Sequence, residues 1–256
     1  AYEMSASRVG SEMCIRDSLK RAQYLTALIP NEAILSEFDA NKFFESLNAS
    51  HYGMDTVKKM IAKSFYTKSI QGKSFSSERL LLEGGAGIGK TSICESIAAA
   101  LGVPCVRVSL NGVNDESALK GFSPTYVGAD AGEIVKGLSR VKTTRAVVQL
   151  DEIDKLGNHN GVKASNALFD LLDNCASFTD RFLGVPIDLS NILFIATAND
   201  LSNMEPWLLD RFNVIQLEGY TKSEKEQILT EYLLPRIESE YAVSYTHLTL
   251  PTTSRV

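Results

Sequence analysis

Nothing in these 256 residues adds up to a metal cage. Cys14, Cys94, Cys105 and Cys175 are scattered, none at the spacing of a zinc-ligand pair, and three histidines are too few to complete a set. The cysteines read instead as small apolar residues in a reducing compartment. Basic residues are not in excess: 26 Lys and Arg stand against 31 Asp and Glu, for a net charge of -5, so nucleic-acid binding is not indicated. No apolar run approaches the ~18 residues of a membrane-spanning helix, and no membrane partner is expected. The start lacks the charged-then-apolar pattern of a secretory leader. There is no internal repeat and no low-complexity segment. The expectation is a soluble intracellular protein, cytoplasmic, or in the mitochondrial matrix if the source is eukaryotic.

What is present suits one or two globular domains, since 44% of the residues are hydrophobic. Residues 1–18 (AYEMSASRVGSEMCIRDS) and 243–256 (VSYTHLTLPTTSRV) show neither helical nor strand periodicity. Both resemble the translated adapter-like tails at the ends of fragmentary reading frames, and both are set aside from the fold; ordinary natural tails are the alternative. Residues 19–72 read as a helical segment. Phe38, Phe43, Phe44 and Leu47 fall near one face, and Val57, Ile61 and Phe65 continue the pattern at i, i+4, i+8. From residue 73 to 242 short apolar runs (RLLLEGG, VPCVRVSL, RAVVQLDE, NILFIATAND, NVIQLEGY) alternate with amphipathic stretches. Continuous apolar strands alternating with helices predict an α/β fold with a five-stranded parallel sheet covered by helices on both faces.

The strongest chemical signal is Gly84-Gly85-Ala86-Gly87-Ile88-Gly89-Lys90-Thr91, which matches G-x-x-x-x-G-K-[ST] between a strand and a helix. Glycines let backbone N–H groups turn toward phosphate oxygens, and the following helix adds the positive end of its dipole. This context predicts ATP and Mg²⁺ as cofactors, with Lys90 reaching the β- and γ-phosphates and the Thr91 hydroxyl on the metal. The run Val147-Val148-Gln149-Leu150-Asp151-Glu152 ends an apolar strand in two acids. Asp151 is placed to hold Mg²⁺ through water, and Glu152 to orient and activate the attacking water. Gln149, buried in such a strand, needs a hydrogen-bond partner or costs roughly 1–3 kcal/mol. Asn199 ends another strand (Ile195-Ala196-Thr197-Ala198-Asn199) at the same carboxyl edge of the sheet. It fits a γ-phosphate or water contact, and equally a turn-forming Asn opening a loop. Arg211, in Leu208-Leu209-Asp210-Arg211-Phe212, fits an arginine that acts on a neighbouring subunit's ATP; its spacing alone favours a surface Asp–Arg pair.

Taken together, HYGMDTVKKMI, GGAGIGKTSICESIAAALG, VRVSLNGVNDESALKG, TYVGADAGEIVKGL, LDEIDKLG, VPIDLSNILFIATAND and LLDRFNVIQLEGYTKSEK stand in an order and spacing that resembles the ATPase domain of the Lon protease family, from about residue 19 to residue 242. The resemblance implies a P-loop AAA+ core with Gly84 to Thr91 as Walker A, Asp151 and Glu152 as Walker B, Asn199 as the first sensor and Arg211 as the arginine finger. It implies that Tyr52 and Gly53, with His51, lie near the adenine. It also implies that Tyr126 and Val127 form the pore-loop pair that grips substrate, with a second pore loop at Asn158 to Gly161; a core Tyr126 is the alternative. The implied function is ATP hydrolysis by a homo-hexameric ring that unfolds and threads unfolded or misfolded proteins for a Lon-type protease. A AAA+ chaperone or remodelling ATPase without a peptidase is the alternative. The sequence departs from the family in three places. Phe122-Ser123-Pro124 stand where two basic residues are usual, Gly85 and Ala86 where prolines are, and Gln149 where an apolar residue is. The family's small helical subdomain and serine–lysine peptidase domain would follow residue 242, outside this sequence.

Overall fold

The computed structural model describes residues 2–28, 39–70, 79–156, 158–159, 162–202, 204–235 and 237. Its centre is the anticipated five-stranded parallel sheet: β1 (Arg79–Glu83), β2 (Cys105–Ser109), β3 (Val147–Asp151), β4 (Leu193–Ala198) and β5 (Asn213–Gln216). Their spatial order is β2-β3-β4-β1-β5, every adjacent pair parallel. The chain leaves β1 for the far edge, so β1 and β4 meet where the strand order reverses, the place where such sheets take ligands.

Both faces of the sheet are apolar, which explains the continuous hydrophobic runs. Leu80 and Leu82 of β1 pack into one cluster with Phe43 and Leu47 of α2 (Ala40–Ser50), Val57, Ile61 and Phe65 of α3 (Asp55–Ile70), and Ile93 and Ile97 of α4 (Lys90–Ala100). Leu81, between them, points to the other cluster. There it joins Leu119 of α5 (Ser117–Lys120), Ile134 and Leu138 of α6 (Glu133–Val141), and Leu168 and Leu172 of α7 (Ala164–Asp173). The strand period of two thus sends alternate side chains to opposite layers. Two antiparallel two-residue ribbons, Asn158–His159 with Val162–Lys163 and Phe178–Thr179 with Pro186–Ile187, flank α7. The first takes in Asn158 and His159 of the segment where a second pore loop is expected; residues 160–161 lie outside the described residues.

The leading helices differ from the sequence reading in two ways. A single helix, α1 (Tyr2–Ala27), takes in most of the first eighteen residues, where no periodicity predicts one. Periodicity reports which side of a helix is buried, whereas helical hydrogen bonds are local and need no buried face. The end of α1 touches the body: Tyr24 Oη donates to Asp130 Oδ1 at 3.0 Å, and Arg21 donates to the Leu183 carbonyl at 2.5 Å. Second, the helical pattern does not run unbroken through HYGM. The chain breaks between α2 and α3, with Gly53 and Met54 both in the left-handed region at φ 62° and 54°. Residues 71–78, at the junction of the helical segment and the α/β part, and the closing tail at 243–256 lie outside the described residues.

After β4 the chain forms α8 (Pro206–Leu209), β5 and then α9 (Lys222–Ile228), which widens into a π-helical turn over Leu229–Leu233. Thr221 and Glu224 close a capping box that fixes where α9 starts. Among the described residues no helix is long and apolar enough to cross a membrane.

Candidate nucleotide site

The loop Gly84–Gly89 links β1 to α4. Gly87 and Gly89 sit at φ 78° and 90°, dihedrals that a side-chain-bearing residue adopts only with strain, so the motif's glycines are required by backbone shape. The Gly84 N–H donates to the Ala198 carbonyl at 3.2 Å, and the Leu217 N–H to the Glu83 carbonyl at 2.8 Å, pinning the loop between β4 and β5. A cleft of about 420 Å³ opens above it, lined by Ala86, Gly87, Gly89, Lys90 and Thr91, and across from them by Asp151, Glu152 and Asn199. Sequence positions 86 to 199 thus meet at one carboxyl edge.

Lys90 Nζ donates to the Gly84 carbonyl (2.5 Å), the Gly85 carbonyl (2.7 Å) and Asn199 Oδ1 (2.8 Å). Burial lowers its pKa, against the nearby negative charges of Asp154, Asp151 and Glu152. Asn199 therefore faces the cleft instead of merely opening a loop. Asp151 is held on every side. Its Oδ1 accepts from the buried Thr197 hydroxyl at 2.6 Å and from Gln149 Nε2 at 3.3 Å, and its Oδ2 accepts from Arg107 Nε at 2.9 Å and from Arg107 Nη2. Burial raises its pKa, but the Thr197, Arg107 and Gln149 donors outweigh burial and hold the carboxyl below the usual range. Gln149 has thus found a partner for its amide nitrogen, while its Oε1 is buried without one. Glu152 adopts φ 58°, ψ 50°, and its N–H donates to Thr197 Oγ1 at 3.1 Å.

A second space of about 810 Å³ adjoins the cleft behind Gly87–Gly89, walled by Ile88, His51 and Tyr52 on one side and by Tyr220, Ile228 and Tyr232 on the other. Tyr52 and Tyr232 pack edge to face, ring centroids 6.2 Å apart, and Tyr52 Oη donates to Gln227 Oε1. Gly53 is absent from this wall and shapes the turn behind it, within 3.9 Å of the Tyr220 ring were it to carry a Cβ. His51 bridges α2 to α4. Ser92 Oγ donates to the Gly89 carbonyl at 3.0 Å, so His51 Nε2–H donates to Ser92 Oγ (2.8 Å) and Nδ1 accepts from Ser96 Oγ (3.0 Å). Lys58, buried beneath, donates to Asn48 Oδ1 at 3.0 Å and to the His51 carbonyl at 2.5 Å. Burial, then the Lys58 charge, push the His51 pKa down to about 4 from 6.5.

The pH dependence follows in sign. A histidine depressed on folding stabilises the protein fully above its unfolded pKa near 6.5, and that stability is lost as pH falls through about 4. Urea midpoints measured from pH 7 to pH 4 should drop more steeply for the parent than for His51→Gln. Parallel curves for the two would show that His51 titrates as a free imidazole.

A family model described as "ATPase family associated with various cellular activities (AAA)" matches residues 80–220. The chain belongs to the AAA family of ATPases. It is 39% identical over 217 residues to the peroxisomal Lon protease homolog 2 of Oryza sativa subsp. indica, an alignment covering 84% of this chain and 24% of that protein. It is 43% identical over 199 residues to the Lon protease of Neorickettsia sennetsu, covering 77% of this chain and 24% of that protein. The Lon protease of Elusimicrobium minutum is 41% identical over 211 residues, covering 80% and 25%. The chain therefore spans about a quarter of the length of these relatives.

Two remaining features of this AAA ATPase stand away from the cleft. Arg211 donates through Nε and Nη2 to the two carboxylate oxygens of Asp173, both at 2.8 Å, and its guanidinium lies 4.3 Å from the centroid of the Phe169 ring. It is paired at the surface, with Asp173 and not with its neighbour Asp210, and it does not line its own chain's cleft. Tyr126 and Val127 are 66% and 88% exposed on the loop between α5 and α6, which rules out the core reading of Tyr126.

Sequence reasoning missed four participants. Thr197 and Arg107 position Asp151, Lys58 braces the turn at His51 beside the larger pocket, and Asp180 braces the Tyr126 loop by accepting the Gly132, Phe182 and Leu183 N–H groups at 2.8, 2.9 and 3.1 Å. Burial pushes the Asp180 carboxyl pKa up, against those three donors. Only Thr197 left a trace in the sequence, as a hydroxyl inside an otherwise apolar strand.

Proposed function

We propose that this cleft binds and hydrolyses Mg-ATP between the subunits of a homo-hexameric ring, as the motor of a Lon-type ATP-dependent protease. The observation that carries this reading is the convergence of Lys90, Thr91, Asp151, Glu152 and Asn199 on one cleft, next to a larger apolar pocket sized for a base. Lys90 takes the β- and γ-phosphates in exchange for the loop carbonyls, and Asn199, already on Lys90, takes a γ-phosphate oxygen or the water. Glu152 orients and deprotonates the attacking water. His51, Tyr52 and Ile88 flank the adenine, with Gly53 setting the turn.

The residues present suit Mg²⁺. Among the described residues no group of three His, Cys, Asp or Glu could cage a metal. One hydroxyl (Thr91) and one carboxylate (Asp151) on a phosphate cleft match an ion that keeps most of its waters and shares phosphate oxygens. Bound there, Mg²⁺ would neutralise charge developing on the phosphates.

Arg211 completes the neighbouring subunit's site on this reading, since it cannot serve its own. Tyr126 and Val127 grip unfolded or misfolded polypeptide in the ring's channel. The protein works in the cytoplasm, or in the mitochondrial matrix of a eukaryotic host. Calorimetry with ATP and the 256-residue chain should give binding that depends on Mg²⁺, together with slow phosphate release. A folded chain that gives no heat at millimolar ATP would sink the reading.

A further inference from the structure

Beyond positioning Asp151, Arg107 has no part in the proposed hydrolysis, yet it covers one oxygen of that carboxylate. The parallel register pairs Arg107 of β2 with Gln149 of β3, and Ser109 with Asp151. Arg107 and Asp151 are therefore diagonal neighbours two residues apart, on the same face of the sheet, within reach of a long side chain. The guanidinium forks onto Asp151 Oδ2 through Nε and Nη2, and it lines the same cleft as Lys90 and Thr91.

The two oxygens of Asp151 differ in what holds them. Oδ1 is fixed by Thr197, which is 1% exposed and also tied to the Glu152 N–H, and by the fully buried Gln149. Neither donor has anywhere to go. Oδ2 is held by a side chain 58% exposed, on the edge strand of the sheet, free to swing into solvent. A water of a hydrated magnesium ion needs a lone pair on this carboxylate, and the Arg107 fork covers the exchangeable oxygen. Cation and guanidinium also repel each other.

We propose that Arg107 is a positioning residue that sets the magnesium threshold of the site: a cationic latch on Asp151 Oδ2 that the hydrated metal must displace before Mg-ATP is held. The inference rests on the nucleotide-binding reading of the cleft. It predicts that removing the latch makes metal-assisted binding easier without strengthening metal-free nucleotide binding. A residue that merely prearranged Asp151 for the metal would do the reverse.

The test is a fluorescent ATP analogue titrated into the full 256-residue chain at graded free Mg²⁺ and again in excess EDTA, for the parent, Arg107→Gln and Arg107→Lys. An exposed ion pair is worth up to ~1 kcal/mol, so the half-saturating Mg²⁺ should fall roughly three- to fivefold in Arg107→Gln. Arg107→Lys, which keeps the charge but loses the fork, should fall less. Affinity in EDTA should not rise, since the variant adds no phosphate contact and takes a positive charge from the cleft. An unchanged or raised magnesium threshold, with ATP binding intact, overturns the latch alone. A folded parent that binds no nucleotide at any Mg²⁺ overturns both the latch and the reading beneath it. Should Arg107→Gln not fold, Arg107→Lys and the parent carry the comparison: equal thresholds overturn the proposal, a lower one in the lysine variant supports it.

Discussion

Lys90→Ala should weaken ATP binding by ~100-fold or more while leaving the fold intact. The ammonium sits at the mouth of a helix whose first N–H groups and flanking glycines already favour an anion, and it supplies the full positive charge there. Each charged hydrogen bond to a phosphate is worth ~1.5–3 kcal/mol, so one or two lost contacts give roughly this factor. Stability should change little. Lys90 has a lowered pKa because burial disfavours its charge, so its three hydrogen bonds do not come free, and their loss is offset by relief of that burden. Calorimetry gives the Kd and thermal melting gives the fold. A variant that melts like the parent and binds ATP within threefold would show that the loop cradles no phosphate.

Glu152→Gln should separate binding from turnover. A well-placed general base contributes about 10²–10⁴-fold, so hydrolysis should fall by at least ~100-fold while Mg-ATP is held as tightly as before. The backbone argues that this carboxylate is placed on purpose. A non-glycine residue in the left-handed region costs on the order of 1–3 kcal/mol, and Glu152 stays there because its N–H is anchored to Thr197 as the strand ends. The turn lifts the side chain out of the strand direction and onto the cleft wall. Gln keeps size, backbone and the anchor, and loses only the ability to take a proton. Phosphate release with saturating Mg-ATP measures the effect. Turnover equal to the parent's would remove Glu152 from the chemistry.

The parts of this molecule that were legible in advance are those whose physics is local. The phosphate loop announces itself because its glycines are demanded by backbone dihedrals, and dihedrals follow sequence residue by residue. The five strands could be read because burial on both faces leaves an uninterrupted apolar run, with Val147–Asp151 and Leu193–Ala198 buried along their whole length. Arg107 could not be read. Its partner lies 44 positions away and is chosen by strand order and register, which no short window contains. Gln149 was visible as a misfit, but its partner was not, for the same reason. The break at Gly53-Met54 escaped because apolar spacing continues on both sides of it, in α2 and in α3, and both helices deliver side chains to one cluster. The pairing of Arg211 with Asp173 escaped because the nearer acid, Asp210, competes in sequence and loses in space.

The larger of the two pockets is closed by residues far apart in the chain. Tyr220 Oη reaches the Tyr52 carbonyl across 168 positions, and Tyr232 Oη donates to the Asn48 carbonyl across 184. A ribosome makes the first wall long before the second. The five strands and the Gly84–Gly89 loop precede that second wall in the chain, so a nascent chain completes this pocket last. A chain that stops before residue 220 keeps the residues of the Lys90 cleft and lacks the far wall of the larger pocket.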